Sequence, residues 1–373
     1  MVKKVSILGM SFSGVSLGLS LKQNQKEITV TGIDKASEVV RAKNLGAIDN
    51  GCLDSSIGEG LSEADVVFLA TPIQTTKELI PQVPNLVKDS AIVTDICITK
   101  SEIVGLASQY FNEKPCFIGG HPIVGFRQGT IEQADPYLFI NNTYVLTPLK
   151  KQKSGSIGTL KSLIENIGAR VVVMDPREHD YLVGGVNHIL QLIAIAHINT
   201  MIGEMEDKKI ETALLLAGER FKQFTQALLS SSHFWEDILM SNYENVKNSI
   251  KKFISRLNLL IDGLGEEMFH QEYEKARKIV RKIPTQRKGF STTLFNLYVD
   301  IKDEPGAIAR VASLIASKGY DVKDIALVRI KEGEAATLRL AFENQNVASR
   351  VGRLLMKNRY AYRTQYNYED YPI

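Results

Sequence analysis

The feature that most constrains this chain is a glycine loop placed between its first β-rich run and its first helical stretch. Val5-Ser6-Ile7-Leu8 reads as a buried strand, and Gly9-Met10-Ser11-Phe12-Ser13-Gly14 follows at once and opens an amphipathic segment, Val15–Lys22. The loop stands where a G-x-G-x-x-G turn would, with Ser11 at its second glycine position. A first glycine permits the tight turn, and a helix N-terminus offers free N–H groups to a pyrophosphate. Serine crowds the backbone approach but leaves the donors in place. Further β-rich runs follow at Ile28–Ile33, Val66–Ala70, Ala91–Thr94, Cys116–Gly119 and Thr143–Thr147, with helical stretches such as Thr75–Ile80 between them. That alternation predicts a parallel, doubly wound Rossmann-type α/β sheet.

From about Glu178 to Lys282 the β-rich runs disappear. Tyr181–Ile202, Thr212–Leu229, Phe234–Met240 and Asn245–Leu264 read as helices, which predicts an all-helical second domain. Ile283–Gly289 reads as a linker. Beyond it the order βαββαβ predicts a small α+β domain. The expected boundaries are 1–175, 176–283 and 291–373.

Composition excludes several classes. Lys and Arg number 45 against 42 Asp and Glu, so no excess of cations marks a nucleic-acid or anionic-membrane partner. The first apolar run stops at Gly9, too short for a leader. No stretch is expected to span a membrane, and the apolar run Ile189–Ile202, interrupted by Gln191, His197 and Asn199, fits a buried helix. Three cysteines are too few for a disulfide framework, and no metal site is expected; reduced thiols in a cytoplasmic protein are the reading.

Gly9, Ser11, Phe12, Ser13 and Gly14 are therefore candidate cofactor residues. Asp34 ends the second strand, where a carboxylate accepts hydrogen bonds from a ribose 2′-OH and repels a 2′-phosphate. NAD is thus expected over NADP, with Lys35 next door keeping NADP open. Thr71 and Pro72 follow a strand at the ligand-binding edge of such sheets. His121, in Gly119-Gly120-His121-Pro122, is expected in a loop at that same edge. A base that accepts a hydroxyl proton and a structural loop histidine are both consistent with it. His188 lies on an apolar helix, and on the residues alone a satisfied core histidine is the better reading. His179 and Asp180 read as helix-start residues.

Taken together these residues resemble the prephenate dehydrogenase family of tyrosine biosynthesis, over nearly the whole chain. The resemblance rests on the glycine loop with Asp34, Ala70-Thr71-Pro72, Thr94-Asp95, and Gly119-Gly120-His121-Pro122 with Gly125. It continues through Tyr144–Pro148, Glu178-His179-Asp180, Asn187-His188, Phe221–Thr225 and Trp235–Leu239. In the tail, Leu297–Ile301 with Asp303–Ile308 resembles the opening of an ACT domain, which implies an amino-acid effector such as tyrosine.

The resemblance implies NAD-dependent oxidative decarboxylation of prephenate to 4-hydroxyphenylpyruvate by a homodimer. His121 matches the family's catalytic histidine, and His188 the first histidine of its S-H-x-P-H substrate motif. Four departures bear on substrate. Ile98 stands at a serine of D-x-G-S-x-K, Asn187 and Gln191 replace the serine and second histidine of S-H-x-P-H, and Gln226 replaces the arginine of F-x-x-x-T-R. An amide at that last position loses a charge-assisted contact to a substrate carboxylate. Arg127, Arg220 or Lys222 could supply a cation from elsewhere, and Arg127 is equally readable as a solvated surface residue. Two other functions stay open: a dehydrogenase for a related cyclohexadienyl substrate such as arogenate or an amino analogue, and a catalytically weak regulator that binds nucleotide and an amino acid.

Overall fold

The structure, a computed structural model, describes residues 2–25, 27–112, 114–124, 129–150, 154–203, 205–282, 294–331 and 335–364. The chain forms two compact units, residues 1–275 and 276–373.

The first unit is built on an eight-stranded sheet. Its strands are β1 (Lys4–Leu8), β2 (Thr29–Asp34), β3 (Asn50–Leu53), β4 (Val66–Leu69), β5 (Ile92–Asp95), β6 (Cys116–Ile123), β7 (Thr143–Pro148) and β8 (Arg170–Val173). Their order is β3-β2-β1-β4-β5-β6-β7-β8. The central strands read as continuous apolar runs because helices cover both faces; every residue of Val66-Val67-Phe68-Leu69 is buried. One apolar cluster gathers Ile7, Val15, Leu17 and Phe68 on one face, and another gathers Leu8, Val67, Leu69 and Ile103 on the other.

Three sequence expectations fail here. The sheet is mixed: β6 and β7 pair antiparallel, with His121 opposite Val145. His121 consequently lies within β6, not in a loop. The Gly-Gly pair that suggests a loop is a packing requirement. A Cβ on Gly119 would stand 2.4 Å from Thr147 Oγ1, and one on Gly120 2.4 Å from the Asp95 carbonyl. Pro122 is tolerated because β5 pairs with β6 only through Ile118, so the strand carries a single ladder beyond that point. Finally, β3 and β8 fall outside the expected strands.

Helices complete this unit. The expected Thr212–Leu229 helix is divided into Asp207–Leu216, Glu219–Thr225 and a 3-10 turn at Gln226–Leu229, the second starting after Gly218. The helix Ile189–Met201 departs from the expected buried helix. Only Ile189, Gln191 and Ala194 are buried, while Leu190, Ile195 and Met201 are exposed. Pro176–Met201 is, by length and composition, the one helical run among the described residues that could cross a membrane. The polar residues His179, Asp180, His188 and Gln191 are on its buried side. The helix Tyr243–Asp262 likewise exposes Phe253, Ile254, Leu257 and Ile261.

The second unit runs β9 (Phe295–Ile301), helix Ala307–Ala316, β10 (Asp324–Lys331), β11 (Ala335–Phe342), helix Gln345–Lys357 and β12 (Tyr362–Thr364). The strands form a sheet in the order β10-β11-β9-β12, with all its pairings antiparallel. Leu297, Val299, Leu338 and Leu340 face Val311, Ile315, Val351 and Leu355 of the two helices in one core. The expected linker Ile283–Gly289 lies outside the described residues.

Candidate active site

The glycine loop is built for close approach. Gly9 takes φ +106°, and a Cβ there would stand 2.5 Å from the Ala70 carbonyl. A Cβ on Gly14 would stand 1.9 Å from the Gly9 carbonyl. Both positions demand glycine. Ser11 caps the helix Phe12–Asn24 without a side-chain hydrogen bond, so the first-turn N–H groups stay available to an anion. Asp34 closes β2 beside this loop. Its Oδ2 accepts the Met10 N–H at 2.6 Å and its Oδ1 accepts the Lys35 N–H at 2.7 Å. Thr71 and Pro72 stand one strand over, where the Thr71 hydroxyl bonds to the Thr76 hydroxyl at 2.8 Å and Pro72 opens the helix Ile73–Leu79.

A cavity of about 970 Å³ extends from Ser11, Phe12 and Ser13 past His121 to Asn187, His188 and Gln191. Ile96, Ile98, Phe224, Phe234 and Trp235 give it apolar walls. Among its described lining residues there is no Lys, Arg, Asp or Glu.

On one wall, His121 is held from behind. Its Nδ1 lies 2.9 Å from His179 Nε2, and His179 Nδ1 lies 2.8 Å from Asp180 Oδ1. Asp180 is anchored in turn. Its Oδ1 accepts the Lys100 N–H at 2.8 Å and its Oδ2 the Ser101 N–H at 2.7 Å, at the start of the helix Ser101–Tyr110. Burial alone would raise the Asp180 carboxyl, but the bonds from His179, Ser101 and Lys100 outweigh it and hold it below the usual range. Burial, joined by His179, Lys100 and His188, pushes the His121 imidazole well below its ordinary value. The helix that carries His179 and Asp180 starts from a local signal: Asp175 accepts the Arg177 N–H at 2.8 Å, and Pro176 takes the first position.

The backbone around His121 is fixed by a second buried group. Lys100 Nζ pairs with the Asp95 carboxylate and donates to the Gly120 carbonyl at 2.7 Å, while Asp95 accepts the Gly120 N–H at 3.1 Å. Removing one partner of a fully buried pair typically costs about 3–5 kcal/mol.

On another part of the lining, His188 ends a π-helical turn, Gly184–His188. The Asn242 amide donates to the Asp180 carbonyl at 2.7 Å and approaches His188 Nδ1 at 3.3 Å. Nδ1 is then the acceptor and Nε2 carries the hydrogen. Burial lowers the His188 imidazole to about 4, a shift that Asp180 moderates and His179 reinforces. His188 Nε2 and Gln191 Oε1 are both buried and have no hydrogen-bond partner among the described residues.

Ser11, Phe12, Ser13, His121, Asn187, His188 and Gln191 of the sequence candidates thus line one cavity. Lys222 is exposed and does not line it. Gln226 lines an adjoining cavity of about 740 Å³ with Tyr137, Leu229 and Ser230. Arg127 lies outside the described residues. Sequence reasoning missed His179 and Asp180 as partners of His121, and missed Trp235 as a wall.

A nucleotide-type sheet, a glycine cradle and a cavity joining that cradle to a buried imidazole define a nicotinamide-dependent dehydrogenase. Comparison with known proteins agrees. The family model described as prephenate dehydrogenase, nucleotide-binding domain, matches residues 17–173, and its dimerization domain matches 175–282. The prephenate dehydrogenase of Lactococcus lactis subsp. cremoris is 31% identical over 341 residues, 89% of this chain and 90% of that one. The prephenate dehydrogenase of A. aeolicus, solved with hydroxyphenyl propionate and NAD+, superposes with a TM-score of 0.68 at 29% identity, over 75% of this chain and 98% of that one. Synechocystis arogenate dehydrogenase superposes with a TM-score of 0.61 at 25% identity, over 75% and 96%. The chain belongs to the prephenate dehydrogenase family, and it is an NAD-dependent dehydrogenase.

Proposed function

We propose that the protein oxidatively decarboxylates prephenate to 4-hydroxyphenylpyruvate, with His121 as the base. The observation that carries this reading is the cavity itself, which runs from the helix N-terminus at Ser11–Ser13 to His121 and on to His188 and Gln191. NAD, when bound, supplies the hydride acceptor; Gly9, Ser11, Phe12, Ser13 and Gly14 would hold its pyrophosphate, with Asp34 toward the ribose and Thr71 and Pro72 flanking. His121 accepts the ring hydroxyl proton while the substrate loses carbon dioxide and becomes aromatic. His188 donates from Nε2, and Gln191, Asn187 and Gln223 offer amides to the substrate's polar groups. Lys222 does not line the cavity, which leaves Arg127 as the source of positive charge for a carboxylate in this reading.

A second reading has its own support. Prephenate carries two carboxylates, and the described cavity lining contains no cation. A less charged relative such as arogenate suits that wall better. Purified protein with NAD and each substrate decides: NADH formation with prephenate at the higher kcat/KM supports the first reading, and turnover of arogenate alone replaces it.

We assign residues 1–175 to nucleotide binding, 176–283 to substrate binding and dimerization, and 291–373 to an ACT-like regulatory module. The exposed apolar residues of Ile189–Met201 and Tyr243–Asp262 support a homodimer through these helices. The βαββαβ order and the turn at Gly306, φ +83°, support the ACT-like assignment, with tyrosine as the effector. Three free thiols suit a cytoplasmic setting.

A further inference from the structure

We infer that His179 and Asp180 are positioning residues for the reaction, forming with His121 a relay that holds its Nε2 unprotonated toward the cavity and takes up the charge formed there. This rests on reading His121 as the base.

The argument is one of counting protons. Asp180 already accepts two backbone N–H groups, one on each oxygen, so it is an ionised acceptor for the hydrogen on His179 Nδ1. One proton lies between His179 Nε2 and His121 Nδ1, which are 2.9 Å apart. When that proton belongs to His121, both rings are neutral, and Nε2 of His121 is a bare lone pair on the ring edge that lines the cavity. The opposite tautomer of His121 would place two lone pairs against each other at this contact. No hydroxyl from position 98 can orient the ring, because Ile98 is apolar.

During turnover the substrate O–H bond breaks and an N–H bond forms at His121 Nε2. His121 then releases its Nδ1 proton to His179 Nε2. His121 gains one proton at Nε2 and gives one up at Nδ1, so its ring ends neutral in the other tautomer, and the positive charge arrives on His179, beside the Asp180 carboxylate. Without this transfer, the charge would stay on a buried ring facing Lys100 and His188. A carboxylate that orients an imidazole and stabilises its cation is a recurring device in enzymes.

The test needs no substrate in its first arm. Full-length protein labelled with ¹⁵N-histidine is examined by long-range ¹H–¹⁵N spectra. His121 and His179 are both expected as Nδ1–H tautomers, with His121 moving to a tautomer mixture in His179→Leu. In the second arm, His179→Leu is expected to lower kcat about 100-fold with KM for NAD within about twofold. His179→Gln, whose carbonyl still accepts the Nδ1 hydrogen, should restore the tautomer and recover roughly tenfold of kcat. Its acidic limb of kcat should lie at lower pH than in the wild type, because the added proton no longer comes to rest beside Asp180 and must sit near Lys100 and His188. An Nε2–H tautomer for His121 in the wild type overturns the relay. So does a His179→Gln protein whose acidic limb is unmoved. Failure of prephenate turnover in the wild type would reject the substrate and leave the tautomer result standing, so the two ideas fail separately.

Discussion

His121 and His188 face the same cavity from different elements, and their surroundings are opposites. His121 Nδ1, both ring nitrogens of His179 and both carboxylate oxygens of Asp180 are paired, through to the helix start at Ser101. Among the described residues His188 is paired on one side only, and its Nε2, with Gln191 Oε1, is buried without a partner. A buried polar atom left unmade costs on the order of 1–3 kcal/mol. A fold retains such a cost where a ligand removes it. The contrast separates a wall built to do chemistry, already complete, from a wall completed by what it binds.

The largest test of that division is His121→Asn. General-base catalysis contributes roughly 100- to 10,000-fold, so kcat should fall by about three orders of magnitude with KM for NAD nearly unchanged in steady-state kinetics. An equal loss of nucleotide binding would mean that the ring organises the glycine cradle and performs no proton transfer.

The next effect is on stability in acid. His188 in the fold titrates at about 4, below its ordinary 6.5. Between these values the unfolded chain binds the extra proton and the folded chain does not. Stability therefore falls as pH drops from 6.5 toward 4, by on the order of 2–3 kcal/mol from this group. Denaturant melts at pH 7 and pH 4.5 should show His188→Gln losing less stability in acid than the wild type by about that amount. Equal losses would show that His188 is already solvated.

These residues also show what the sequence could and could not disclose. The glycine loop, Asp34 and the alternation of strands and helices are local patterns, and the structure places them at one sheet edge. The Glu178-His179-Asp180 triplet is legible as a piece of the family pattern and as a helix start, which Asp175 and Pro176 set locally. Its pairing with His121 joins positions 58 residues apart, and no local signal carries such a contact. His121 itself was misplaced because Gly119 and Gly120 read as turn residues when their function is to let β6 lie close against Asp95 and Thr147. The strand β3, Asn50-Gly51-Cys52-Leu53, has no β pattern of its own; its register against Thr31–Asp34 makes it a strand. The helix Ile189–Met201 is more exposed than its apolar sequence suggests, because an apolar run reports a water-avoiding surface without saying what covers it.

On the unfinished wall, Gln191→Leu should act in two directions. Losing one hydrogen bond to the substrate, worth about 1–1.5 kcal/mol, raises KM roughly tenfold with a smaller change in kcat. The free protein, relieved of an unpartnered oxygen, should melt higher by an amount on the order of 1 kcal/mol. A rise in KM accompanied by a lower melting temperature would show that Gln191 is paired in the free state, and the contrast between the walls would be lost.

The smallest effect is expected at Gln226, where the family motif carries arginine. On motif alone, Gln226→Arg should tighten prephenate binding strongly, since a charge-assisted bond is roughly twice as strong as a neutral one. The structure points the other way. Gln226 lines the neighbouring cavity with Tyr137, Leu229 and Ser230, beyond Phe12 and away from His121 and His188. A guanidinium there would be partly solvated, and exposed ion pairs are worth about 0–1 kcal/mol. KM for prephenate should therefore change by less than about twofold. A drop of tenfold or more would mean that the turn Gln226–Leu229 swings toward the catalytic cavity when substrate enters, and that the uncharged lining belongs to the free form alone.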